Sequence, residues 1–134
     1  MKVLLDTNIL ISAALNAAGA PYQAFLKAIS APNQAVICDQ NIDEMRRVFI
    51  RKLPHKLDLF EKFLAFALME LEVVRVPATD MSAEARVRDV ADRPILRAAI
   101  AAKVDIIVTG DKDFLDSGLT RPQLMTAADF LRLT

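Results

Sequence analysis

The chain has 134 residues, 54% of them hydrophobic, with 17 Lys+Arg balanced by 17 Asp+Glu. That length and apolar content predict one domain, residues 1–134, with a core that needs no staple, and the charge balance excludes a global field that would gather nucleic acid or anionic lipid. A single cysteine, Cys38, and a single histidine, His55, exclude a disulfide framework, a multi-cysteine zinc site and any mechanism built on paired histidines.

No charged n-region, apolar run and small-residue cleavage site follow one another at the N-terminus, and no apolar run reaches spanning length. The expectation is a cytoplasmic protein with no membrane partner. Val3-Leu4-Leu5 ends abruptly in Asp6, Thr7 and Asn8, which predicts a buried strand whose polar end emerges at the sheet edge. Residues 9–15 are apolar and helix-tolerant. After a break at 16–20, Pro21 suits the first turn of a helix over 22–29, with Tyr22, Phe25, Leu26 and Ile29 on one face. Residues 34–38 predict a second strand, followed by Asp39 and Asn41 as cap chemistry for a helix over 42–52.

Pro54 separates that helix from one over 57–71, where Leu57, Phe60, Leu64, Ala67 and Leu71 follow the helical period. Residues 73–76 read as a third strand stopped by Pro77, 81–87 as a short helix, and 88–93 as a charged connection. Pro94 then opens a helix carrying Ile95, Leu96, Ala99 and Ile100. Residues 106–108 predict a fourth strand, which stops at Thr109-Gly110-Asp111-Lys112-Asp113, a second polar cluster. Residues 123–125 form a weak fifth strand and 127–133 a terminal helix capped by Thr126. Strands alternating with helices predict an α/β fold of three layers, α/β/α, around a central, mainly parallel sheet of about five strands.

In such sheets ligands bind beyond the carboxyl ends of the strands. Asp6 and Asp111 fall at that end of two strands, Glu44 one turn into the helix after another, and Asp92 at the start of the helix leading to the fourth strand. Carboxylates crowded together repel and stay ionised only beside a cation. With oxygen as the available ligand, that cation is a hard divalent ion, Mg²⁺ or Mn²⁺, as one or two ions able to assist phosphodiester hydrolysis without a histidine base. Thr7, Asn8 and Thr109 are placed to orient those ligands. Arg46, Arg47, Arg51 and Lys52, with Arg88, Arg93 and Arg97, are candidates for holding RNA phosphates, although solvated helix faces account for the same residues.

The segments Leu4-Leu5-Asp6-Thr7-Asn8, Ile42-Asp43-Glu44-Met45-Arg46-Arg47-Val48, Arg88-Asp89-Val90-Ala91-Asp92 before Pro94-Ile95-Leu96, and Val108-Thr109-Gly110-Asp111-Lys112-Asp113-Phe114 together resemble the PIN-domain ribonucleases. The resemblance spans nearly the whole chain and is strongest to the branch related to the VapC toxins of toxin–antitoxin systems. It implies a metal-dependent endonuclease acting on RNA, a protein antitoxin as partner and a homodimer or higher oligomer. It gives Asp6, Glu44, Asp92 and Asp111 the catalytic and metal-ligating roles, with Asp113 and Asp89 as further candidate ligands. The sequence departs from the pattern at Val90-Ala91, where relatives often carry Pro and a further acid.

Each acid also has a purely local explanation. Asp6, Asn8 and Asp92 suit helix caps, Glu44 complements a helix dipole, and Asp111 and Asp113 suit a turn after Gly110. Two other functions compete. A haloacid-dehalogenase-type phosphatase would use Asp6 as nucleophile, but needs a second acid where Asn8 stands; a non-catalytic receiver-like module would need Asp39 as its phosphoacceptor.

Overall fold

The computed structural model describes residues 1–133, so Thr134, the last residue of the expected domain, lies outside them. Five strands form one sheet in the order β3-β2-β1-β4-β5: β1 (Lys2–Leu5), β2 (Gln34–Cys38), β3 (Glu72–Val74), β4 (Ile106–Val108) and β5 (Gln123–Met125). All four pairings are parallel, with Val3 opposite Ala35 on one side and Ile106 on the other.

Alternation along β1 divides the core. Val3 and Leu5 point into one apolar cluster and Leu4 into a second. The first is packed by α1 (Thr7–Leu15), α2 (Ala20–Ile29), α3 (Asp39–Lys52), α4 (Leu57–Glu70) and α7 (Ala127–Arg132), where Phe49 and Phe60 stack with centroids 4.5 Å apart. The second is packed by α5 (Arg93–Ala101) and α6 (Lys112–Leu115), with Val87 and Phe114 fully buried. The strands are apolar on both faces because both faces are covered, and the three layers follow. Among the described residues no single helix is long and apolar enough to cross a membrane.

Four local expectations change. The helix after β2 begins at Asp39, not Ile42, with Cys38 as its N-cap residue, and Asn41 is fully buried with neither amide atom hydrogen-bonded, so it is no cap. The third strand covers Glu72–Val74 rather than 73–76, because its partner at the edge of the sheet, β2, ends at Cys38 opposite Val74. The expected helix at 81–87 is a 3₁₀ turn, Ser82–Arg86, and the charged connection contains another, Val90–Asp92. The short helix α6, following Asp111, was not expected.

Candidate metal centre

Three of the acids begin helices at the carboxyl edge of the sheet. Asp6 ends β1 as the N-cap of α1, Asp92 precedes α5, and Asp111 caps α6 after β4. For Asp6 and Asp111, whose side chains accept backbone N–H groups of their helices, the local and the functional readings are compatible, whereas Asp92 makes no side-chain cap bond to α5. Glu44 approaches from the second turn of α3, where its Oε2 accepts from the Thr7 hydroxyl at 3.1 Å.

Thr109 connects the two central strands. Its hydroxyl donates to Asp6 Oδ2 at 2.7 Å and accepts from the Asp111 backbone N–H at 3.0 Å, while Thr7 N–H donates to Asp6 Oδ1 at 2.8 Å. Asp6 is only 3% exposed, and burial raises its pKa against the lowering effect of these two bonds. The charges of Glu44 and Asp111 raise it further, which places both acids within electrostatic reach of Asp6.

Asp89, Asp92 and Asp111 form the tightest group, each offering a carboxylate oxygen within 4.8 Å of the others. Desolvation first, then a hydrogen bond with the Asp111 carboxyl and the charges of Asp6, Asp111 and Asp89, push Asp92 from 3.8 up to about 8. Asp92 stands at a helix N-terminus, where the dipole favours ionisation by only about 0.3–1 kcal/mol, so burial and carboxylate crowding outweigh it. Its Oδ2 is buried without a hydrogen-bond partner. An orphaned buried carboxylate oxygen among other carboxylates, with no nitrogen or sulfur donor in the group, fits a hard divalent cation.

The remaining candidates are distributed less tightly. Asp113 donates its N–H to Asp111 Oδ1 at 2.9 Å, but its carboxylate lies 3.6 Å from Arg88 and outside the three-acid group. Asn8 is exposed and, among the described residues, makes no hydrogen bond to the acids, in contrast to Thr7 and Thr109. Among the basic residues, Arg46 is engaged with Glu61 across α3 and α4 at 3.0 Å, and Arg93 Nε donates to the Val87 carbonyl at 3.0 Å. Arg97, expected to face phosphate, is turned into the protein against Glu84 at 2.8 Å. Arg47, Arg51, Lys52 and Arg88 are exposed. Asp89 is the residue whose place the sequence left most open, and its signal was local: its side chain accepts from Ala91 N–H at 3.0 Å, starting the turn that delivers Asp92.

Fold and site define a parallel, doubly covered α/β protein with a rim of clustered carboxyls at the carboxyl edge of its sheet. The chain belongs to the PIN-domain family, whose model, described as the PIN domain, matches residues 2–113. Comparison with curated proteins returns no significant match. Among solved structures, the chain is similar to a chain of VapBC2 from Rickettsia felis, crystallised bound to a DNA fragment from their promoter, with TM-score 0.72 and 19% identity over 94% of this chain and 98% of that one. It is also similar to VapC20 of Mycobacterium tuberculosis, a sarcin-ricin loop cleaving toxin, with TM-score 0.58 and 19% identity over 87% of this chain and 95% of that one.

Proposed function

We propose that the protein is a single-domain, Mg²⁺- or Mn²⁺-dependent endoribonuclease that hydrolyses RNA phosphodiester bonds and acts as the toxin of a toxin–antitoxin pair. Membership of the PIN-domain family and a fold like that of a sarcin-ricin loop cleaving toxin support this reading. The observation that carries it is the buried, unpartnered Asp92 oxygen within a group of carboxyls that cannot all ionise unaided.

Asp92 and Asp111, with Asp89 grouped beside them and Asp6 and Glu44 adjoining, would hold one or two ions, with Asp113 in reserve beside Arg88. A divalent ion there supplies charge neutralisation, a more acidic water and stabilisation of the departing oxygen. The residues of the chain supply the geometry. Thr109 keeps Asp6 oriented and ties it to Asp111, and Thr7 does the same for Glu44. Arg88, exposed beside Asp113, holds substrate phosphate at the rim, and Arg47, Arg51 and Lys52, exposed along α3 as it runs away from that edge, extend the contact, which makes binding weaken as salt rises. The VapBC2 complex from Rickettsia felis supports a protein antitoxin as partner, and a homodimer or higher oligomer belongs to the same reading.

The test is incubation of the purified protein with RNA and with DNA, in Mg²⁺, Mn²⁺ and EDTA, alongside Asp6→Asn. Cleavage of RNA that needs metal and disappears in the variant is the expected result. Equal cleavage by the variant, or cleavage in EDTA, would overturn the assignment.

A further inference from the structure

Two of the three clustered acids, Asp89 and Asp92, arrive at the end of the long connection between β3 and α5, residues 75–92, which contains only two 3₁₀ turns. A connection of that length has little backbone pairing of its own, so something else must hold the acids in place. Arg97 does this from the second turn of α5. Its Nη1 donates to the Pro77 carbonyl at 2.8 Å, its Nη2 to Asp80 at 2.7 Å and to Glu84 Oε1 at 2.8 Å, and its Nε to Glu84 Oε2 at 3.0 Å. The guanidinium thus grips three points of the connection, one of them bidentately.

Glu84 is 5% exposed, its carboxylate also accepts from the Met81 N–H, and the Arg97 guanidinium holds its pKa below the ordinary value. Downstream, Val87 is fully buried in the second apolar cluster and Arg93 binds its carbonyl. From Pro77 to Val87 the connection is therefore fastened to the same helix whose N-terminus bears Asp92. Asp89 follows two residues after the last fastening point, and its distance from Asp92 and Asp111 depends on where that point is held.

We propose that Arg97 is a positioning residue for the acidic rim: through Glu84, Asp80 and the Pro77 carbonyl it sets the place of Asp89 and Asp92, and with it the affinity for the divalent ion, touching neither ion nor substrate. This rests on the metal-dependent reading above. Lysine is not an equivalent, since a single ammonium cannot reproduce the fork that spans Pro77, Asp80 and both oxygens of Glu84.

The experiment measures Mn²⁺ binding by electron paramagnetic resonance, with hydrogen exchange, in the full chain, Arg97→Lys, and the paired Arg97→Met/Glu84→Leu, which leaves no unpaired buried charge. Both variants should bind Mn²⁺ on the order of 10-fold more weakly, the size of effect seen when groups behind metal ligands are lost. Amides of residues 78–92 should exchange faster, with protection in β1, β2 and β4 unchanged. Mn²⁺ affinity within twofold of the unmodified chain in the paired variant, with the sheet still protected, would overturn the proposal alone. An unmodified chain that binds no Mn²⁺ would overturn the metal-dependent reading and this proposal with it.

Discussion

Asp105 and Asp6 occupy opposite ends of the paired strands β4 and β1, and each accepts a 2.7 Å hydrogen bond from the neighbouring strand, Asp105 from Lys2 N–H and Asp6 from the Thr109 hydroxyl. The bonds match and the environments do not. Asp105 is exposed, beside Lys103 and Arg121 in a cavity of about 550 Å³ at the amino end of the strands. Asp6 is buried among other carboxyls at the carboxyl end. That hollow lies at the opposite edge of the sheet from the clustered acids. What distinguishes the rim is like charge gathered around a buried carboxylate and only partly screened by water, which favours cation binding, while a roomy exposed hollow lined by both signs of charge exerts little net field.

The largest expected contrast is catalytic. Asp92→Asn should lower metal-dependent RNA cleavage by on the order of 10²–10³-fold, the loss typical when a charge-stabilising group leaves a site. Asp105→Asn should leave it unchanged. Equal losses at both ends, measured with one RNA under one set of conditions, would erase the distinction.

Next comes Thr109→Val, which keeps shape but removes the hydroxyl between Asp6 and Asp111. A roughly 10–100-fold fall in cleavage is expected, as for other groups that orient metal ligands. The buried Asp6 oxygen would lose its partner at a cost of about 1–3 kcal/mol, read by denaturant titration in EDTA.

A smaller effect separates the two ends by pH. Because Asp92 rises from 3.8 to about 8 in the folded chain, the folded state binds more protons than the unfolded state between those values. Stability of the metal-free protein should therefore fall as pH rises through that window, and the buried Asp6, also raised, acts in the same direction. Solvent screening reduces the effect to about 1 kcal/mol, or roughly 4 °C in melting temperature between pH 5 and 8.5. Asp92→Asn should flatten most of this slope and Asp105→Asn none of it. Added Mn²⁺ should raise the melting temperature more at the higher pH, because its ligands must ionise.

The smallest effect concerns the basic face. Arg46→Gln should change stability by no more than about 0.5 kcal/mol and leave RNA binding nearly intact, since Arg46 is half-exposed and already paired with Glu61. Arg47→Ala should instead lower the slope of RNA affinity against salt by about one phosphate contact. A change of equal size in both variants would mean that the Glu61 pair does not withhold Arg46 from substrate.

The strands, their polar ends and most helices were legible because each depends on neighbours in sequence: apolar runs bounded by Asp6 or Thr109, caps, and helical spacing such as Phe60, Leu64 and Ala67. By itself the chain determined an alternating α/β fold with acids at strand ends, and the carboxyl-edge rule placed those acids on one rim. Three-dimensional packing decided which groups meet. The order β3-β2-β1-β4-β5 brings Thr109 to Asp6 across 103 residues of sequence, and the folding of residues 75–92 against α5 draws Asp89 into the group. It also turned Arg97 inward to Glu84, Arg46 aside to Glu61, and buried Asn41 where a cap was expected. A periodicity or a cap is a property of a few adjacent residues, whereas a charge pair or a buried hydroxyl bridge depends on what the rest of the chain packs beside it.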